Sequence, residues 1–158
     1  MKTRFITRSA LIAAIYAVLT VLIQSISYGP IQFRISEMLT ILPVFMTEAI
    51  PGLAIGCLIA NILSAYGVYD MIFGTFATLI AAVMTYKLRN RILFAGFPPV
   101  IINALIVPMI FILSGSEASF AAYIFNFATI FISEAIIVYI FAIPLAYGIR
   151  KQFPNLLK

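Results

Sequence analysis

Glu37-Met-Leu-Thr-Ile-Leu-Pro-Val-Phe-Met-Thr-Glu-Ala-Ile-Pro-Gly-Leu-Ala-Ile-Gly-Cys-Leu-Ile-Ala-Asn-Ile-Leu-Ser-Ala-Tyr66 decides how many times this chain crosses a bilayer. The stretch is apolar apart from Glu37, Glu48 and a few amides and hydroxyls, and Glu48-Ala-Ile-Pro-Gly52 interrupts it. Proline lacks the N–H that a helix interior needs, and glycine loosens the backbone beside it. The segment is therefore either one long kinked helix or two short ones. Two short helices give six spans. With the N-terminus inside, Lys2, Arg4, Arg8, Lys87, Arg89, Arg91, Arg150, Lys151 and Lys158 then share the cytoplasmic side, nine of the ten basic residues. A single helix would move Lys87, Arg89 and Arg91 outside and break the positive-inside bias. The parity predicts six spans near 9–27, 37–50, 51–66, 70–86, 92–113 and 118–149, with both termini cytoplasmic.

Composition makes the bilayer the right solvent for that argument. Of 158 residues, 64% are hydrophobic and 9% charged, with a mean hydropathy of +1.15. Soluble domains carry about 25% charged residues. The chain reads as one all-α integral membrane domain, 1–158. Its net charge of +5 sits at the cytoplasmic ends of spans, so it speaks for the lipid surface and not for nucleic acid. No histidine is present, which excludes histidine-based catalysis and histidine-ligated metals. The single cysteine, Cys57, excludes an internal disulfide. Lys2, Arg4 and Arg8 before the uncharged run Ser9–Ser27 imitate a signal peptide, but the run is long for one and is read as an uncleaved first span.

The polar stretch Tyr28-Gly-Pro-Ile-Gln-Phe-Arg-Ile-Ser-Glu37 stands between two apolar runs and brings Gln32, Arg34, Ser36 and Glu37 close together. Ser36 has the chemistry of a helix cap, and Glu37 would follow in the first turn, where the helix dipole favours an acid. A turn-and-cap reading and a recognition-loop reading explain these residues about equally well. Asp70 and Glu117 stand at expected helix starts, where capping accounts for them, and Glu48 is expected to be solvated at the inner turn. Glu134 is different. It lies mid-helix, about 24 Å before Arg150, where no cap applies. An ionisable group at that depth marks a site unless an ion pair neutralises it, and Arg34 is the candidate partner. Gln24, Asn61, Asn103 and Asn126 add amides at membrane depth, which serve equally as interhelical glue. Tyr28, Phe33, Tyr66, Tyr69, Phe73, Tyr123 and Phe127 crowd the outer end, as an interfacial belt also would.

Ala10, Ala13, Ala14 and Ala17 give two i,i+4 pairs on the first span, a spacing that permits close helix approach but is common in membrane helices. No glycine-rich loop precedes a lysine, so the chain carries no nucleotide-binding P-loop. No paired acids at catalytic spacing and no internal repeat stand out, which argues against an enzyme and gives no support to an inverted-repeat transporter. No cofactor is expected.

Tyr28-Gly-Pro-Ile-Gln-Phe-Arg-Ile-Ser-Glu37 with Leu39-Thr-Ile-Leu-Pro43, then Ile50-Pro-Gly-Leu-Ala-Ile-Gly-Cys-Leu-Ile-Ala-Asn61 and Asp70-Met-Ile-Phe-Gly-Thr-Phe-Ala-Thr-Leu-Ile-Ala-Ala82, resemble the QueT family. The resemblance covers about residues 5–150 and is least distinctive in the last two helices. It implies the six-helix substrate-binding (S) component of an energy-coupling factor transporter for queuosine precursors. It further implies partners: a membrane scaffold subunit and two ATPase subunits. The loop after the first helix would be the outer lid, and Ala10, Ala14 and Ala17, with Ala13, would dock on the scaffold. A deazaguanine-type substrate would take Glu134 or Glu37 on its donor edge, Asn61 and Asn126 as supporting amides and Arg34 in the lid. Asp70 completes the set of substrate-binding candidates. A stand-alone secondary transporter or channel for another small solute is the alternative.

Overall fold

The structure, a computed structural model, describes residues 2–23, 33–116 and 119–153. Gln24, Tyr28, Gln32 and Glu117, and with them most of the expected lid, lie outside the described residues. Six helical segments follow one another without a strand among the described residues: α1 (Lys2–Leu22), α2 (Ile35–Val44), α3 (Ala49–Asn61), α4 (Gly67–Lys87), α5 (Ile92–Leu113) and α6 (Phe120–Gln152). α1, α4, α5 and α6 are long and apolar enough to cross a membrane, with 21, 21, 22 and 33 residues. A helix of 21 residues reaches about 30 Å, the thickness of a hydrocarbon core. α2 and α3, with 10 and 13 residues, each reach only about 20 Å.

The faces are those of a protein in lipid. On α1, Leu11, Ile15, Val18 and Leu22 point outward, while Ser9, Tyr16 and Thr20 are buried beside Ile12, Ala13 and Ala17. α6 repeats this, with Phe125, Ile132, Ile140 and Phe141 outside and Asn126, Ser133 and Glu134 inside. Apolar side chains cover the outside because lipid accepts them, and polar groups gather inside where they find partners.

The run from Glu37 to Tyr66 does break into two helices, but between Val44 and Ala49, ahead of the boundary expected at residues 50 and 51. Pro51 falls in the first turn of α3, where its missing N–H costs nothing. α2 winds as a 3-10 helix and begins after Arg34 with no side-chain cap. Ser36 is therefore not the cap expected of it; its hydroxyl meets that of Thr20 on α1 at 2.6 Å. α4 opens into a π turn over Asp70–Gly74, and α6 over Ile137–Ala142. Such wide turns interrupt regular helices chiefly at functional places.

α1 and α3 pack most closely. A Cβ on Gly52 would stand 2.8 Å from the Ser9 carbonyl oxygen, and one on Gly56 2.8 Å from that of Ala13. Only glycine fits at such an approach, so Gly52 and Gly56 form the small-residue seam on which α1 lies. At the same joint the Arg8 guanidinium pairs with Glu48 at 3.1 Å, and the Ser9 hydroxyl donates to the Glu48 carbonyl at 2.9 Å. Glu48 is thus an ion-pair partner, not the freely solvated acid expected.

Two apolar clusters flank the middle of the molecule. One joins Ile41, Val44 and Phe45 of the α2 end to Ile92, Val100, Val138 and Ile143. The other joins Ala104, Val107 and Phe111 of α5 to Ile130 of α6, with Tyr66, Phe127 and Phe131 against it. On α5 and α6, Asn103 and Glu134 occupy the gap between them.

Candidate functional site

Arg34 closes the described part of the site from above α2. Its backbone is extended (φ −93°, ψ 98°), and its carbonyl accepts the Glu37 N–H at 2.9 Å. This geometry turns the side chain inward, and Nη2 reaches Asp70 Oδ2 at 3.3 Å with both side chains buried. Asp70 is therefore not a helix cap. The π turn carries its carboxylate into the interior, and Gly74, one turn further, leaves room for it. A Cβ on Gly74 would come within 2.7 Å of Asn61 Nδ2 and 2.8 Å of Asp70 Oδ1. Asn61, at the end of α3, donates to the Asp70 carbonyl at 2.9 Å and to Cys57 Sγ at 3.4 Å. It straps the start of α4 to α3.

Glu37 faces the opposite way, toward α1. The Tyr16 hydroxyl donates to its Oε1 at 2.5 Å, while Thr40 Oγ1 donates to its carbonyl at 2.6 Å. Glu134 projects from α6 to Asn103 of α5, whose Nδ2 donates to Oε1 at 3.1 Å. The same Asn103 side chain also interacts with Glu37, and the Glu37 and Glu134 carboxylates lie within electrostatic reach of one another and of Arg34. Arg34 thus does fold inward near Glu134, but it makes its hydrogen-bonded ion pair with Asp70, while Glu134 is braced by an amide.

Each of the three acids is half used. Among the described residues, Glu37 Oε2, Asp70 Oδ1 and Glu134 Oε2 are buried without a hydrogen-bond partner. A carboxylate oxygen taken from water without a donor is costly, and several such atoms together are not what a purely structural network leaves. No three His, Cys, Asp or Glu side chains among the described residues stand close enough to hold a metal ion.

Of the residues expected from sequence, Arg34, Glu37, Asp70 and Glu134 converge, and Asn61 joins them through Asp70. Asn126 is buried on the same face of α6 as Glu134 but eight residues earlier, about 12 Å along the axis. Tyr16 was missed, and Asn103 was recognised only as an amide at depth. The signal for Tyr16 was its place on the stripe Ser9, Ala13, Tyr16, Thr20, the polar face of an otherwise greasy helix. The four alanines separate. Ala13 and Ala17 are buried against the fold, whereas Ala10 and Ala14 are exposed.

The sequence profile of the family described as QueT transporter matches residues 6–151. The curated "Queuosine precursor transporter QueT" of Lactococcus lactis subsp. cremoris (strain MG1363) is 46% identical over 92 residues, 57% of this chain and 54% of that protein. The match thus spans about half the length of that relative. No solved structure matches this chain.

Proposed function

Because the chain belongs to the QueT transporter family, we propose that it is the substrate-binding membrane subunit of an importer for a queuosine precursor. The observation that carries this reading is the buried cluster of Glu37, Asp70 and Glu134, each with one oxygen lacking a donor. A deazaguanine offers what that cluster lacks. Its six-membered ring presents a ring N–H and an exocyclic amine side by side, next to a carbonyl oxygen. Glu134 accepts the two donors, held in place by the Asn103 amide. The tilted pair Tyr66 and Phe111, ring centroids 4.6 Å apart, belongs to the aromatic cluster on the α5–α6 side, where a flat ring finds apolar contact.

The chain spans the bacterial cytoplasmic membrane six times with both termini inside, α2 and α3 acting as short spans. The basic residues support this topology, since only Arg34 then stands outside. Energy comes from partner ATPases through a shared membrane scaffold of the energy-coupling factor type, because the sequence offers no nucleotide site of its own. Ala10 and Ala14, exposed on α1, form the face that meets the scaffold.

Mass spectrometry of the small molecule that co-purifies with the detergent-extracted protein tests the substrate. A deazaguanine base is expected, and a reproducible ligand of another class would overturn the reading. Uptake by vesicles holding this chain without any ATPase would establish a self-sufficient transporter instead.

A further inference from the structure

Asn103 is an amide set between two acids. It lies on the buried face of α5 with Val100, Ala104 and Val107. Val100 belongs to the apolar cluster at the α2 end, Ala104 and Val107 to the one shared with Ile130. Packing on either side of Asn103 thus fixes where its side chain begins. From there Nδ2 donates to Glu134 Oε1 at 3.1 Å, and the same side chain interacts with Glu37 of α2. Glu37 has a second brace in the Tyr16 hydroxyl of α1, at 2.5 Å from Oε1. Among the described residues Glu134 has no other side-chain donor, and its Oε2 meets none.

We infer that Asn103 is the positioning residue of the site: it sets the plane of the Glu134 carboxyl, and through it the discrimination between a base edge with two adjacent donors and an edge with one. This rests on the reading of the chain as a queuosine-precursor binder and deepens it. A glutamate ends in a soft, broad torsion, so its carboxyl group has no preferred plane of its own. A hydrogen bond from a fixed amide supplies one. Each carboxylate oxygen has two lone pairs, so Oε1 accepts both Asn103 and a ligand donor while Oε2 accepts the ligand's second donor. The residue type follows from the same need. An arginine or lysine in this place would occupy the acceptors, and an apolar side chain would leave both acids without their shared brace. A neutral amide orients the carboxyl group and still leaves it open. An acceptor pair held in one plane distinguishes ligands best, because a missing donor then strands a buried oxygen.

Calorimetry on the full-length, ligand-stripped protein in detergent tests this with two probes, 7-deazaguanine and 7-deazahypoxanthine, which lacks only the exocyclic amine. The unaltered protein is expected to prefer 7-deazaguanine by on the order of tenfold or more. Asn103→Leu, similar in volume but without donors, should bring the two affinities within about threefold of each other. Added to Glu134→Gln, the same change should alter the ratio no further, since Asn103 acts through Glu134. A folded Asn103→Leu protein that loses affinity for both probes equally, with its preference retained, overturns the inference and makes Asn103 structural. A further fall of the ratio in the Glu134→Gln background overturns the action through Glu134. Should Asn103→Leu fail to fold, Asn103→Asp, which keeps the shape and puts an acceptor where the donor stood, decides by the same ratio. Equal affinity of the unaltered protein for both probes overturns the two-point contact and this inference, but leaves the chain a deazapurine binder. Binding of neither probe removes the parent reading and this inference with it.

Discussion

Glu134 shows how little a buried carboxylate's identity says until its neighbours are known. Its Oε1 is held by Asn103, and its Oε2 meets no donor among the described residues. Glu134→Gln preserves shape and one acceptor but gives up the charge and half of a two-point contact. Ligand affinity should fall by about 1.5–3 kcal/mol, on the order of tenfold to a hundredfold. The ligand-free melting temperature should stay near that of the unaltered protein, since an amide is cheaper to bury than a charge. Calorimetry with thermal unfolding checks both; retained affinity with a lowered melting temperature would make the residue structural. Gly74 makes the complementary case. A methyl group there would push on Asn61 Nδ2 and Asp70 Oδ1 at 2.7 and 2.8 Å. Gly74→Ala should therefore cost about 1–3 kcal/mol of stability and weaken ligand binding through displacement of Asp70. The same thermal and calorimetric measurements would expose an error, seen as unchanged behaviour in both.

Helix α1 has two faces, and its alanines divide between them. Ala13 and Ala17 lie inside, while Ala10 and Ala14 look outward. The close approach that small residues permit is used internally by Gly52 and Gly56 of α3, each with a Cβ position 2.8 Å from an α1 carbonyl. Gly56→Leu should wedge α1 from α3 and lower stability and ligand binding together. Ala14→Leu should leave binding by the isolated subunit intact and reduce uptake in the assembled transporter. The two variants differ only in the face they touch, so paired binding and uptake assays separate internal packing from docking. Loss of ligand binding in Ala14→Leu would place that residue in the fold rather than at a partner.

The molecule as a whole is arranged about a polar interior in an apolar shell, with charges at its ends. Its orientation is open to direct measurement. In a Cys57→Ala background, a single cysteine at Ser116 should react with an impermeant thiol reagent in intact cells, and one at Asn90 should not. Labelling of Asn90 from outside would require an odd number of spans before it and would undo the six-span topology. The acid cluster sits between two apolar clusters, one toward the α2 end and one toward Phe111 and Ile130. That setting keeps water away from the carboxylates, whose open oxygens it would otherwise satisfy.

Composition alone determined the solvent, because a chain 64% hydrophobic and 9% charged has too little polar surface to face water. The proline-glycine signal near residue 50 told that the long apolar run breaks, but the break itself falls earlier, between Val44 and Ala49, with Pro51 accommodated in the first turn of α3. The rarity of charge in the spans singled out Glu134, since an ionisable group at depth is expensive wherever it ends up, whereas Glu37 and Asp70 read as helix-start acids and became candidates through the family resemblance. What tertiary structure alone decided was who meets whom. Arg34 and Asp70 are 36 residues apart, Asn103 and Glu134 are 31 apart, and Tyr16 and Glu37 are 21 apart. Such pairings depend on helix rotation and on the π turn at Asp70, and neither leaves a mark in hydropathy. In a soluble helix the polar stripe reveals the outside. Here the polar stripe Ser9, Tyr16 and Thr20 marks the inside instead, and Gly52 and Gly56 bring α3 against that face.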